Sequence, residues 1–281
     1  MLAYDFMREA FAAGGIAAVV AGAVGYFLVL RGQAFAGHSL SHVGFAGATA
    51  AILVGVPPLA GLAGLTVLAG LGMGALGERL AGRDVAIGLV LALSLGVGLL
   101  CLHFFTAYAS QATALLFGNV LGVDGPTLAL MLALGFASLA ALAAIARPLL
   151  FASLQPELAE AKGVNLRLVS TAFLGVVALA VTGCAQVVGV LLVFALMVGP
   201  PAAAMQVTTR VGPGVLLAMT LALAEAWLGI ALAWWTDWPV SFWITALSAL
   251  GYVLAAAWGA VGAGRRVRRP APLGAGPSAA E

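Results

Sequence analysis

Between Arg167 and Arg210 the chain carries no charged side chain at all. A stretch like that has nothing to present to water, and at about 20 residues per crossing it has room to pass through a bilayer twice. The pattern recurs: from Val85 to Ala146 the only charge is Asp124. Charged residues make up 8% of the chain and hydrophobic ones 63%, where a water-soluble chain has about 25% charged residues. A polytopic membrane protein is therefore expected. The apolar runs are continuous and do not alternate, so the spans are helices and not the strands of a barrel.

Apolar runs between charges and Gly/Pro breaks place nine spans near 11–30, 42–57, 58–77, 84–104, 126–146, 167–185, 187–206, 213–235 and 240–262. Merging the two that flank "VPP" would give eight and move the N-terminus to the other side. The expected fold is all-α, with eight to nine spans in one domain over 1–264 and a basic, disordered tail over 265–281. "ASQATALLFGNVLGV" (109–123) is apolar but too short to cross, and reads as a re-entrant helix. "PELAEAKG" (156–163) has proline in its first turn, early acids and a glycine stop, and reads as a short helix within the 148–167 connection. Either it is a solvated loop helix or it is a docking surface for a partner.

Positive charges set the orientation. With nine spans and the C-terminus in the cytoplasm, eleven of the twelve basic residues fall inside, leaving Arg8 outside. The N-terminus shows no cleavable signal, and Cys101 and Cys184 read as small buried hydrophobes with no disulfide framework. The partners expected on these grounds are membrane lipid and other polypeptides, and no nucleic acid.

Ionisable residues inside the spans are few, because a charge at the bilayer centre costs at least about 2.5–3.5 kcal/mol. They are His38, His42, His103 and Glu225. His38 and His42 are four residues apart, so on a helix their rings share a face. Neutral imidazole is a good ligand for zinc, iron and copper. The pair reads either as metal ligands, with hydroxyls from Ser39 and Ser41 beside them, or as histidines satisfied by backbone or water. The same spacing occurs in H-E-x-x-H metalloproteases, but the glutamate needed as general base is Ser39 here, which excludes that chemistry. Glu225 is either a packing carboxylate or part of the same path, and His103 an interfacial residue or a ligand at the outer mouth.

No G-x-x-x-x-G-K-[ST] phosphate loop exists: the one lysine, Lys162, is followed by Gly163. Any ATP that drives the protein is bound by another polypeptide, and this chain is not expected to be an enzyme or to hold a cofactor.

Several segments look familiar. "GHSLSHVGFAGATAAILVG" resembles the G-D-x-L-S-H-x-x-x-x-G segment of the membrane subunits of zinc/manganese/iron-type ABC importers. "LLFGNVLGV", "LQPELAEAKGV", "QVVGVLLVFALMVGPPAAAMQ" and "DWPVSFWITAL" are similar to that family's re-entrant piece, coupling segment, proline-bearing span and last external turn, in order. The resemblance implies a permease in the bacterial inner membrane, paired with a second copy as a homodimer or heterodimer. It also implies a cytoplasmic ATP-binding subunit contacting Pro156, Glu157, Leu158, Ala159, Glu160 and Gly163, and an external metal-binding protein. Zn2+, Mn2+ or Fe2+ would be the transported substrate. By position, His42 falls on the family's metal-path histidine, and His38 stands where an aspartate is usual. Imidazole for carboxylate softens the pair and favours zinc over manganese. Gln155 also departs from a common aspartate, and "PPAA" from the plainer "PAA". The competing class is an ATP-independent transporter or channel that uses Glu225 and the histidines as a proton relay.

Overall fold

The fold is that of a computed structural model, which describes residues 1, 4–76, 83–104, 118 and 120–267. Among these it is all-helical: α1 Asp5–Leu30, α2 Ala34–Leu53, α3 Pro58–Ala75, α4 Arg83–His103, a single 3-10 turn Val120–Gly122, α5 Gly125–Leu154, α6 Pro156–Ala161, α7 Leu166–Val188, α8 Val190–Val207, α9 Val211–Thr236 and α10 Val240–Val267. Seven of these helices are long and apolar enough to cross a membrane. The other two long ones are α2, whose glycines, serines and histidines dilute its hydropathy, and α8, which is apolar over Leu192–Val207. The "VPP" stretch is a turn, so α2 and α3 are separate helices. Most of the expected re-entrant piece lies outside the described residues, as does the tail beyond Val267, and α10 continues through Arg265 and Arg266.

Helix ends follow local chemistry. Asp124 caps α5 by accepting the Thr127 backbone N–H at 3.1 Å, and the Thr127 side chain, together with this bond, holds its carboxyl below the usual range. Asn165 caps α7 through the Leu168 N–H at 3.0 Å. The short α6 begins on Pro156 and ends in a Schellman turn: Gly163 (φ 83°) donates to Glu160 O and Val164 to Ala159 O, each at 2.9 Å. One expectation needs correcting. Pro148 does not open the connection, because α5 runs through it to Leu154. Proline removes only one helical bond, and beyond it Leu149 and Ala152 are packed in the core.

The bundle has two ends. At one, Tyr4 packs on Trp234 with ring centroids 5.8 Å apart, joining the start of α1 to the end of α9. At the other, Arg31 donates to the Ser153 hydroxyl at 3.0 Å and lies 5.6 Å over the Phe173 ring, tying the end of α1 to α5 and α7. α1 is the central helix, with nearly every residue from Ala13 to Leu28 buried.

Crossings are made backbone on backbone. A methyl on Gly47 would run into the Gly61 carbonyl and one on Gly61 into the Gly47 carbonyl, so α2 and α3 touch without intervening side chains. Gly70 and Gly74 bring α3 equally close to α7, against Leu174 O and Thr171 Cα. On the other side Gly22 seats α1 against Met219 of α9, and Gly25 seats it against the Met197 carbonyl of α8. That carbonyl has lost its ordinary partner, because the residue four along is Pro201, which has no N–H. The Pro200–Pro201 pair therefore stays within α8 while its freed carbonyl rests on a glycine.

α7 and α8 are antiparallel: Phe173 lies by Arg31, Cys184 Sγ contacts Ala17 O at 3.6 Å, and Met197 returns to Gly25. One residue, Gly189, makes the reversal at φ 84° and ψ 153°, a region open essentially to glycine alone. Its neighbours Val188 and Val190 are buried, so the turn cannot relax outward. Gly189→Ala is expected to destabilise the chain by about 1–3 kcal/mol, read as a lower thermal midpoint of the purified protein; an unchanged midpoint would refute the strain.

Candidate functional site

The turn after Arg31 delivers the chain into α2 so that Ala36, Gly37 and Leu40 face the core. On that helix His38 and His42 lie one turn apart, as their spacing requires. Their ring centroids are 4.7 Å apart with planes at 83°, an edge-to-face pair. His42 is 8% exposed and His38 half-buried. Both Nδ1 atoms are buried and neither has a hydrogen-bond partner in the protein. A buried ring nitrogen without a partner forfeits the hydrogen bond it had in water, so it calls for an explanation, and a ligand is one.

The two serines do not join the rings. Ser39 donates to Ile87 O at 3.3 Å, tying α2 to α4, and Ser41 donates to Gly37 O at 3.2 Å in its own helix. The expectation that their hydroxyls serve beside the imidazoles is thus corrected: each is spent on a backbone carbonyl.

A residue that no motif or spacing singled out completes the neighbourhood. Phe194 of α8 lies on His38 with centroids 4.6 Å apart. It also lines a cavity of about 460 Å3 between α8 and α10, with Ala195, Val198, Gly199, Ser248 and Tyr252. Ser248 donates to Ala195 O at 3.3 Å and stands within hydrogen-bond reach of the Glu225 carboxylate. Glu225 is buried, with Oε1 held close to Gly251 and Oε2 lacking a hydrogen-bond partner. Phe194 thus links this cavity to His38, and Ser248 links it to Glu225.

The other candidates are placed as follows. Among the described residues no three of His, Cys, Asp and Glu gather closely enough to hold one metal ion. His103 is exposed at the end of α4, its ring 5.6 Å from Phe104. It is sixteen residues beyond Ile87, so roughly 24 Å along the helix from the level of Ser39. On α6, Ala159 is fully buried and anchors the helix, while Pro156, Glu157, Leu158, Glu160 and Gly163 are exposed at the Arg31 end.

Two imidazoles with unpartnered Nδ1 atoms thus stand a turn apart in an apolar bundle. The profile of the ABC 3 transport family matches residues 3–259. The chain belongs to the ABC 3 transport family. Among similar proteins is the manganese transport system membrane protein MntC of Listeria innocua, 26% identical over 231 residues that cover 82% of each chain. The probable iron transport system membrane protein of Haemophilus influenzae is 27% identical over 260 residues, 92% of this chain and 95% of that one. Of solved structures, PsaBC from Streptococcus pneumoniae in complex with Fab shares the fold, with a TM-score of 0.80 at 22% identity over 90% of this chain and 91% of that one. As a member of the ABC 3 transport family the chain is a membrane component of a transport system, built as a polytopic helical bundle.

Proposed function

We propose that the chain is the permease subunit of an ATP-driven importer for divalent transition-metal ions, and that His38 and His42 bind the ion on its way through. The observation that carries this reading is the pair of buried, unpartnered Nδ1 atoms one helical turn apart in a member of this family. Relatives named for manganese and for iron support a metal cargo. Two imidazoles, where the resemblance leads one to expect an aspartate at the first position, favour zinc among such ions. Glu225, linked to the same cavity through Ser248, serves the path further along, as a carboxylate the ion passes.

The energy comes from elsewhere. The chain has no phosphate loop, so a separate ATP-binding subunit hydrolyses the nucleotide. Its contact is α6, where Leu158 and Glu157 are exposed on a helix fixed from below by Ala159. The Arg31 end, bearing α6, faces the cytoplasm, in keeping with the positive-inside bias, and the C-terminus lies on that side. An external metal-binding protein delivers the ion at the Tyr4 end, and a second copy of the permease completes the path. The residues act by replacing part of the ion's water shell: each neutral imidazole offers one lone pair, which makes the site weak enough to release.

The test is metal uptake by vesicles holding the chain with its ATP-binding subunit, with and without internal ATP. Uptake that ignores ATP and follows a proton gradient would overturn the reading. Leu158→Arg places a charge at the centre of the α6 contact. A residue of hot-spot rank is worth about 2 kcal/mol, so co-purification of the ATP-binding subunit is expected to weaken roughly thirtyfold; equal recovery would remove α6 from the contact.

A further inference from the structure

At the Tyr4 end, away from the histidines, a cavity of about 520 Å3 lies between the start of α1 and the turn joining α9 to α10. Phe6, Trp234 and Trp238 supply aromatic walls and Asp237 a carboxylate. Asp237 is the only non-glycine residue with positive φ (56°) among the described residues, and its N–H closes α9 on Ala233 O at 3.0 Å. The rings are braced: Trp234 packs on Phe6 at 6.4 Å, and Trp238 stacks on Trp243 at 5.6 Å and 19°.

Three features of this cavity favour a positive charge. Ring faces attract cations through their quadrupole. The carboxylate of Asp237 carries the opposite charge. The C-terminus of α9 adds the negative end of a helix dipole. The surroundings agree, since Asp5, Glu9, Asp124 and Asp237 stand at this end against Arg8 and the Met1 ammonium among the described residues. Aromatic walls with one carboxylate suit an organic ammonium group, which sheds its water more readily than a metal ion.

We propose that this cavity holds the ammonium headgroup of a membrane phospholipid of the ethanolamine class. The position favours a lipid over a soluble amine. Trp234, Trp235 and Trp238 are exposed together at the ends of membrane-length helices, where aromatic side chains mark the bilayer interface. Below the cavity, on the same α1–α9 seam, an apolar groove of about 610 Å3 is lined by Phe11, Gly15, Phe136, Leu223 and Trp227. Leu223, Trp227, Ile230 and Trp234 are spaced four, three and four residues apart, so one stripe of α9 lines the groove and then the cavity. An acyl chain in the groove and its headgroup in the cavity fit that stripe.

The test uses the full chain purified in detergent, titrated with phosphatidylethanolamine or phosphatidylglycerol and read by native mass spectrometry. The ethanolamine lipid is expected to bind roughly tenfold tighter, and Asp237→Asn to erase that preference. Asparagine accepts the left-handed conformation, so the turn survives the change. Trp238→Leu is a second variant expected to lose the same preference. Equal binding of the two lipids, or a preference that survives D237N, overturns the proposal. Binding of ethylammonium chloride with no binding of the lipid overturns the lipid assignment.

Discussion

Metal uptake is expected to fall to background when His38 and His42 are both replaced by alanine. Loss of a group that merely orients a metal ligand costs about 10–100-fold in affinity, and loss of the ligands themselves costs no less. Both buried nitrogens of the pair would disappear, and nothing of similar chemistry stands close enough to substitute. The variant should still reach the membrane and retain its ATP-binding partner, because the rings bond to nothing in the protein and α2 is held by Ser39 and the Gly47–Gly61 contact. Uptake assays with zinc and with manganese, beside a pull-down of the partner, separate the two effects. A variant that transports at the wild-type rate would remove the histidines from the path. The single change His38→Asp sharpens the experiment, since a harder oxygen donor beside His42 should shift preference from zinc toward manganese.

The second large effect comes from packing. Gly47→Val puts a branched side chain where the Gly61 carbonyl already lies. Overpacking a helical contact costs about 1–3 kcal/mol, and a rigid backbone obstacle puts this change at or above the top of that range. Because Gly47 is five residues past His42, the displacement also spoils the site. The control is one turn along the partner helix from Gly61: Gly64 faces open space. There Gly64→Ala adds helix propensity worth up to about 1 kcal/mol at no steric cost. Thermal midpoints in detergent should therefore move in opposite directions, and a Gly47→Val protein as stable as Gly64→Ala would refute the close crossing.

Membrane character, the division into helices and the short α6 were all legible, because each rests on local chemistry: runs without charge, the proline pair at 57–58, and Pro156 with Gly163. The facing of His38 and His42 was legible for the same reason, since a four-residue spacing fixes it on any helix. What failed depended on partners distant in sequence. Nothing near Ser39 announces Ile87 of α4 as its acceptor, and nothing about Phe194 tells it from any other apolar residue of its span. The span expected to end at 146 continues to Leu154 because the packing that carries α5 past Pro148 comes from other helices. Glu225 stood out as a lone acid, but its contact with Ser248 of another helix needed the bundle to be assembled.

The glycine crossings sort the helices into two groups. α2, α3 and α7 are joined through Gly47, Gly61, Gly70 and Gly74, and α1, α8 and α9 through Gly22 and Gly25. Sliding within either trio would drive main chain through main chain, so each behaves as a single plank. The imidazoles ride on the first plank and Phe194 on the second, and the join between them at that point is only a ring resting on a ring. Any relative tilt of the planks therefore lifts the aromatic cover off His38 before it disturbs the spacing of the two imidazoles.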